Sequence, residues 1–181
     1  MTKKSDIREH LGLVHVYTGN GKGKTTAALG LALRAMGNDL HVAMVQFMKC
    51  PQYYGEYEIS KSLKNFTLLP MGRDCLVHEG KAKQEDYDCA AAALEKGREL
   101  LHSGKYDLVI LDEVNVTVMM GLLKVEDVVK VVKERPPHVE MVLTGRYAPT
   151  EIVELADLVT EMKLIKHPYD RGIQARDGIE R

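Results

Sequence analysis

Residues 18–25 read Thr-Gly-Asn-Gly-Lys-Gly-Lys-Thr and lie between an apolar run and a segment rich in Ala and Leu. No other feature restricts the fold as much. A glycine-rich loop that leaves a strand and opens a helix turns tightly, and its successive N–H groups converge on one point. Those donors and the positive end of the helix make a site for phosphate oxygens. Lys24 adds a full positive charge, and the Thr25 hydroxyl is suited to Mg²⁺. The loop departs from the usual pattern at its first position, where Thr18 replaces Gly, while Gly23-Lys24-Thr25 is intact. The bland alternative is a solvated, inert Gly/Lys loop; the strand–helix context argues against it.

The remaining punctuation gives an alternating pattern. Strands are expected at Leu11–Tyr17, Leu40–Phe47, Phe66–Leu69, Leu108–Leu111, Val139–Leu143 and Leu158–Ile165. Helices are expected at Thr25–Met36, Gln84–His102, Val125–Glu134 and Pro149–Ala156. Residues 48–57 and 70–83 read as loops. Alternation of this kind predicts an α/β P-loop NTPase (RecA-like) fold, its mostly parallel sheet flanked by helices on both faces. Residues 1–10 form a polar N-terminal arm, and residues 11–181 form a single P-loop ATP-binding domain.

Composition excludes several classes. The formal net charge of −1 gives no electrostatic basis for a nucleic-acid partner. No apolar run reaches membrane-spanning length, and the first ten residues lack the core of a signal peptide. Cys50, Cys75 and Cys89 are too few and too widely spaced for a disulfide framework or a zinc site. A reducing cytoplasm is the expected setting.

A second motif is Asp107-Leu-Val-Ile-Leu-Asp112-Glu113, an apolar strand that ends in two carboxylates. In P-loop folds a strand end next to the P-loop strand supplies an acid to the Mg²⁺ shell. Asp112 and Glu113 are both candidates, and the pattern leaves open which one touches the metal. Other polar residues have plain readings. His15 reads as a satisfied core histidine, and Arg34 as part of a solvated helix face. Arg146 reads equally as a phosphate contact or an ion pair, and His167 with Asp170 as a nucleotide or dimer contact or a cap.

Beyond these motifs the chain resembles the corrinoid adenosyltransferases of the CobA/CobO/BtuR family. The resemblance rests on Thr18-Gly-Asn-Gly-Lys-Gly-Lys-Thr-Thr26 with Thr in place of the first Gly, Val45-Gln-Phe-Met-Lys49, Leu111-Asp-Glu113, Leu143-Thr-Gly-Arg146, Leu155-Ala-Asp157 and the tail from Lys166-His-Pro-Tyr169 to Gly178-Ile-Glu180. It implies attack by the Co(I) of a reduced corrinoid on the ribose 5′ carbon of MgATP, with release of inorganic triphosphate. On the matching positions, Gly19, Asn20, Gly21, Lys22, Gly23, Lys24, Thr25 and Thr26 hold ATP, with Arg146 a further candidate. Thr25 and Glu113 hold the metal, and Lys24 and Glu113 are the catalytic candidates. The substrates implied are ATP and cob(I)alamin or another corrinoid. An electron donor (flavoprotein reductase or flavodoxin) and a homodimer are implied with them. Family members carry aromatic side chains in the loop after the third strand. Here that loop has none, which leaves Met48, Tyr53, Tyr54, Leu76, Val77 and His78 as candidates to face the corrinoid.

Two other functions compete: a small P-loop kinase or ATPase releasing ADP, and a non-catalytic ATP- or corrinoid-binding module.

Overall fold

The computed structural model describes residues 7–50, 54–73 and 80–180. Six strands form one sheet: β1 (Val14–Thr18), β2 (Val42–Gln46), β3 (Phe66–Pro70), β4 (Leu108–Asp112), β5 (Glu140–Thr144) and β6 (Leu158–Glu161). Their order is β3-β2-β4-β5-β1-β6, and every neighbouring pair is parallel. The helices are α1 (Lys24–Met36), α2 (Gly55–Ser60), α3 (Gln84–His102), α4 (Val114–Met119), α5 (Val125–Glu134) and α6 (Thr150–Leu155), followed by a 3₁₀ turn at Pro168–Arg171.

Alternate side chains of a strand point to opposite faces, so the sheet builds two cores. On one face Val14, Val16, Val45, Val109 and Leu111 pack with Ala93 and Leu101 of α3, Val128 and Val132 of α5, and Ile152 of α6. On the other, Val42, Met44, Leu108, Ile110 and Val142 pack with Ala28, Ala32 and Ala35 of α1. The alanines recur at helical spacing, which lets α1 lie close to the sheet. His15 is satisfied, as the sequence suggests, its Nε2 pairing with Glu140 Oε1 at 2.7 Å, but it is partly buried and lies outside both cores.

Three expectations need correction. Residues 48–57 are not all loop, because α2 begins at Gly55, and a further short helix, α4, follows the acidic pair. The last strand closes the sheet as expected but does not continue to Ile165; β6 stops at Glu161, and all four of its residues are exposed on the sheet edge. The strand ending in Asp112 is not next to the P-loop strand, since β5 lies between β4 and β1. Parallel pairing nevertheless brings the C-terminal ends of β1, β2, β4 and β5 to one edge, where open α/β sheets hold their ligands.

Candidate functional site

At that edge the glycine-rich loop leaves β1 and turns into α1. Gly19 has φ of 93°, and a Cβ there would come within 2.5 Å of the Met162 carbonyl oxygen. A Cβ at Gly21 would come within 2.7 Å of the same oxygen. These glycines are therefore required by the chain that follows β6, which lies against the loop. Met162 N donates to Thr18 O at 2.8 Å, and Gly21 N donates to Met162 O at 2.6 Å. The Gly21 amide is thus engaged within the protein. Helix α1 opens with no side-chain cap and no acid in its first turn, leaving its first donors and its positive end facing outward.

Lys24, 7% exposed, folds back on its own loop and donates to Gly19 O and Gly21 O, each at 2.8 Å. Burial holds its ammonium below the usual lysine range, and Arg146 adds to this; Glu113 and Asp112 oppose it.

The acidic pair divides into two environments. Asp112 is wholly buried. Its Oδ1 accepts from Thr25 Oγ1 at 2.9 Å and Thr144 Oγ1 at 2.7 Å, and its Oδ2 from Lys49 Nζ at 2.8 Å and Gln46 Nε2 at 3.3 Å. Thr144, at the end of the intervening β5, bridges the pair by also accepting from Glu113 N at 2.9 Å. Glu113 itself sits in the left-handed region with φ of 66°, an uncommon conformation for a side chain of this kind. Burial, and then the charge of Asp112, push its carboxyl above the usual range, against the pull of Lys49, Lys24 and Arg146.

Lys49, just past the end of β2, ties these groups together. Its ammonium also lies 3.3 Å from Thr25 Oγ1 and 3.7 Å from Glu56 Oε1, with the Tyr54 ring centroid at 5.0 Å. Burial works to lower its pKa, but Asp112, Glu56 and Glu113 outweigh that and hold it above the usual lysine range.

A cleft of ≈ 510 Å³ opens over these residues. Gly21 to Thr26, Glu113, Arg146 and Tyr54 line it. Asp112 lies beneath it rather than in its wall. Gly19 and Asn20 shape the loop without lining the cleft. Met48 borders a separate small cavity with Phe47 and Met71. Tyr53, Leu76, Val77 and His78 lie outside the described residues.

Sequence reasoning missed Lys49 and Glu56 in the wall, and Gln46 and Thr144 behind it. Three of the four stand at or just past strand C-termini, the one signal that marks them. Of the tail it singled out only His167 and Asp170; His167 and also Gly178 to Glu180 line the cleft, and Lys22 Nζ donates to Ile179 O at 3.2 Å. His167 serves in addition as the cap its plain reading suggested, accepting from Tyr169 N at 3.2 Å.

Among the described residues no cluster of three His, Cys, Asp or Glu side chains is placed to hold a metal ion by itself. The donors that surround the Lys49 ammonium are a hydroxyl and carboxylates. Such hard oxygens suit Mg²⁺, an ion that takes one or two protein ligands and completes its shell with phosphate and water. A cation already stands among them, so the residues fit the ion.

The parallel sheet, the loop from β1 into α1 and the acid at the end of β4 define a P-loop NTPase-like α/β protein. Residues 10–181 match the family described as ATP:corrinoid adenosyltransferase BtuR/CobO/CobP. The chain is 38% identical to a corrinoid adenosyltransferase of Sinorhizobium sp, over 99% of this chain and 89% of that protein. It is 35% identical to the corrinoid adenosyltransferase CobA of Salmonella typhimurium, over 97% of this chain and 89% of that one. For a corrinoid adenosyltransferase of Pseudomonas aeruginosa the identity is 34%, over 98% and 88%. The chain belongs to this family, a family of transferases. No helix among the described residues is long and apolar enough to cross a membrane.

Proposed function

We propose that the protein is an ATP:corrinoid adenosyltransferase of cobalamin biosynthesis or salvage. The Co(I) of a reduced corrinoid attacks the ribose 5′ carbon of MgATP, the C5′–O bond breaks, and inorganic triphosphate leaves with the bonding pair. The product is adenosylcobalamin or adenosylcobinamide. The observation that carries this reading is the cleft in which Lys22, Lys24, Lys49 and Arg146 meet the open N-terminus of α1. The leaving group is a whole triphosphate, and fixed cations and backbone donors stabilise the charge that develops on it. The cobalt of the corrinoid substrate is the nucleophile, so the protein's task is to align two substrates.

In this assignment Gly21 to Thr26 line the phosphate site, Gly19 and Asn20 shape the loop that presents them, and Arg146 stands near the phosphates. Thr25 and Glu113 contact Mg²⁺, while Asp112 orients the Thr25 hydroxyl from behind. Mg²⁺, when bound, neutralises phosphate charge as a Lewis acid. Of the corrinoid-facing candidates, Tyr54 and Met48 are assigned that role here; Tyr53, Leu76, Val77 and His78 lie outside the described residues. A flavoprotein reductase or flavodoxin supplies the electrons, and the setting is cytoplasmic. A homodimer is part of the proposal; the exposed apolar residues of β6, Leu158 and Val159, support an interface on that sheet edge.

Product analysis tests the reading. Incubation with MgATP and chemically reduced cob(I)alamin is expected to give a Co–C bond, seen in the visible spectrum, and one triphosphate per turnover. ADP without a Co–C bond would instead indicate a kinase or ATPase, and neither product a binding module.

A further inference from the structure

Lys49 stands where a divalent ion shared by Thr25 and the acidic strand end would stand. Its ammonium is 2.8 Å from Asp112 Oδ2 and 3.3 Å from Thr25 Oγ1, with Glu56 at 3.7 Å. We propose that Lys49 is a built-in counter-cation, holding the divalent-ion position in the nucleotide-free protein so that the metal enters only together with the phosphates. The inference rests on the MgATP reading above and deepens it.

The physical case has three parts. Asp112 is wholly buried, and a buried carboxylate without a cation is strongly unfavourable. Some positive charge must therefore face it at all times, including when no nucleotide is present. The Lys49 ammonium lies 3.3 Å from Thr25 Oγ1, the hydroxyl assigned to Mg²⁺, and a divalent ion cannot share that oxygen with it, because their mutual repulsion has little water to screen it. Metal and lysine therefore exclude one another. Finally, the lysine can leave. Its side chain is 12% exposed and lines the cleft, and its four-carbon stem lets the charge swing toward a neighbouring phosphate. A free divalent ion offers nothing to receive the displaced ammonium, whereas a triphosphate does. Metal entry and phosphate entry become one event.

The test uses the nucleotide-free protein with Mn²⁺ as the probe, read by electron paramagnetic resonance or calorimetry. Wild type is expected to bind Mn²⁺ weakly alone and at least tenfold more tightly once inorganic triphosphate is added. Lys49→Met is expected to bind one Mn²⁺ at least tenfold more tightly than wild type with no phosphate present. Its melting temperature should be lowered without metal and restored by Mn²⁺ or Mg²⁺, a rescue that a purely structural lysine would not produce. Lys49→Arg keeps the charge and should behave as wild type. If Lys49→Met does not fold, Lys49→Gln removes the charge while keeping a hydrogen bond to Asp112. Equal Mn²⁺ affinity in wild type and the neutral variant, or tight Mn²⁺ binding by wild type without triphosphate, would overturn the proposal. Either result alongside normal Co–C bond formation sinks the counter-cation alone. Loss of the Co–C bond with the Mn²⁺ pattern intact sinks the reaction assignment instead.

Discussion

Asp112→Asn separates a structural account of the strand-end network from a decorative one. The carboxylate is wholly buried and accepts from two hydroxyls on one oxygen and from Lys49 and Gln46 on the other. An amide keeps one oxygen. Its NH₂ must then face either the Lys49 ammonium and the Gln46 amide, where donors meet donors, or the Thr25 and Thr144 hydroxyls, which must then turn their own protons elsewhere. The larger part of the loss comes from Lys49, whose side chain is only 12% exposed and whose charge would lose its direct partner. Removing one member of a buried pair costs about 3–5 kcal/mol. At roughly 2–4 °C per kcal/mol for a chain of this size, the melting temperature should fall by roughly 6–20 °C. Urea denaturation followed by circular dichroism gives the free energy directly. The double variant Asp112→Asn/Lys49→Met removes both charges. It should lose less than the sum of the two single losses by about 0.5–3 kcal/mol. An Asp112→Asn protein within 1 kcal/mol of wild type, or strictly additive losses in the double variant, would refute the network argument.

Three further outcomes follow from the same geometry. Lys24→Ala should lower adenosyl transfer by about 10²–10³-fold or more, as loss of a fixed charge-stabilising donor does, while keeping a cooperative urea transition; near-normal turnover would remove Lys24 from the cradle. Glu113→Gln bears on pH. The folded protein holds the Glu113 proton more tightly than the unfolded chain, so its contribution to stability is fully present below pH 4.5 and is lost as pH rises through the raised folded value. The permanently neutral Gln variant should then be about 0.5–2 kcal/mol more stable than wild type at pH 7, with the gap closing at pH 4 and below; a pH-independent gap would sink that reading. Gly21→Ala places a Cβ 2.7 Å from Met162 O, a backbone atom, so the loop must move. A loss of about 1–3 kcal/mol is expected in thermal unfolding, together with weaker nucleotide binding by calorimetry.

The parts of this molecule that the sequence made legible are those fixed by periodicity or by local chemistry. Gln84–His102 and Val125–Glu134 fold within the bounds read from their patterns, because breakers stand after each: Ser103 and Gly104 after one, the Pro136-Pro137 pair after the other. The loop from β1 to α1 was legible because only glycines survive at Gly19 and Gly21. Their cause was not: the obstruction is Met162, more than a hundred residues away, and no local pattern announces it. Helices α2 and α4 are six residues each, too short to carry a period. The placement of β5 between β1 and β4 is a matter of topology, invisible in any single segment. Lys49 and Thr144 lay within strings quoted for the family resemblance, yet their roles emerge only when four parallel strands end on one edge.

That edge has a consequence for turnover in the proposed reaction. The cations that a triphosphate would need already have internal partners: Lys24 has two loop carbonyls, Lys49 has Asp112, and Lys22 has the Ile179 carbonyl. Each contact of these three lysines with phosphate therefore replaces an existing one, and binding gains only the difference. A cradle with bare cations would hold the cleaved triphosphate tightly and release it slowly. One whose lysines return to carbonyl and carboxylate oxygens lowers the barrier to product release, because the empty state is not left with unpaired buried charge. The same exchange leaves catalysis intact. Charge builds on the leaving oxygen in the transition state, and cations already drawn onto the phosphates stabilise that added charge without further reorganisation.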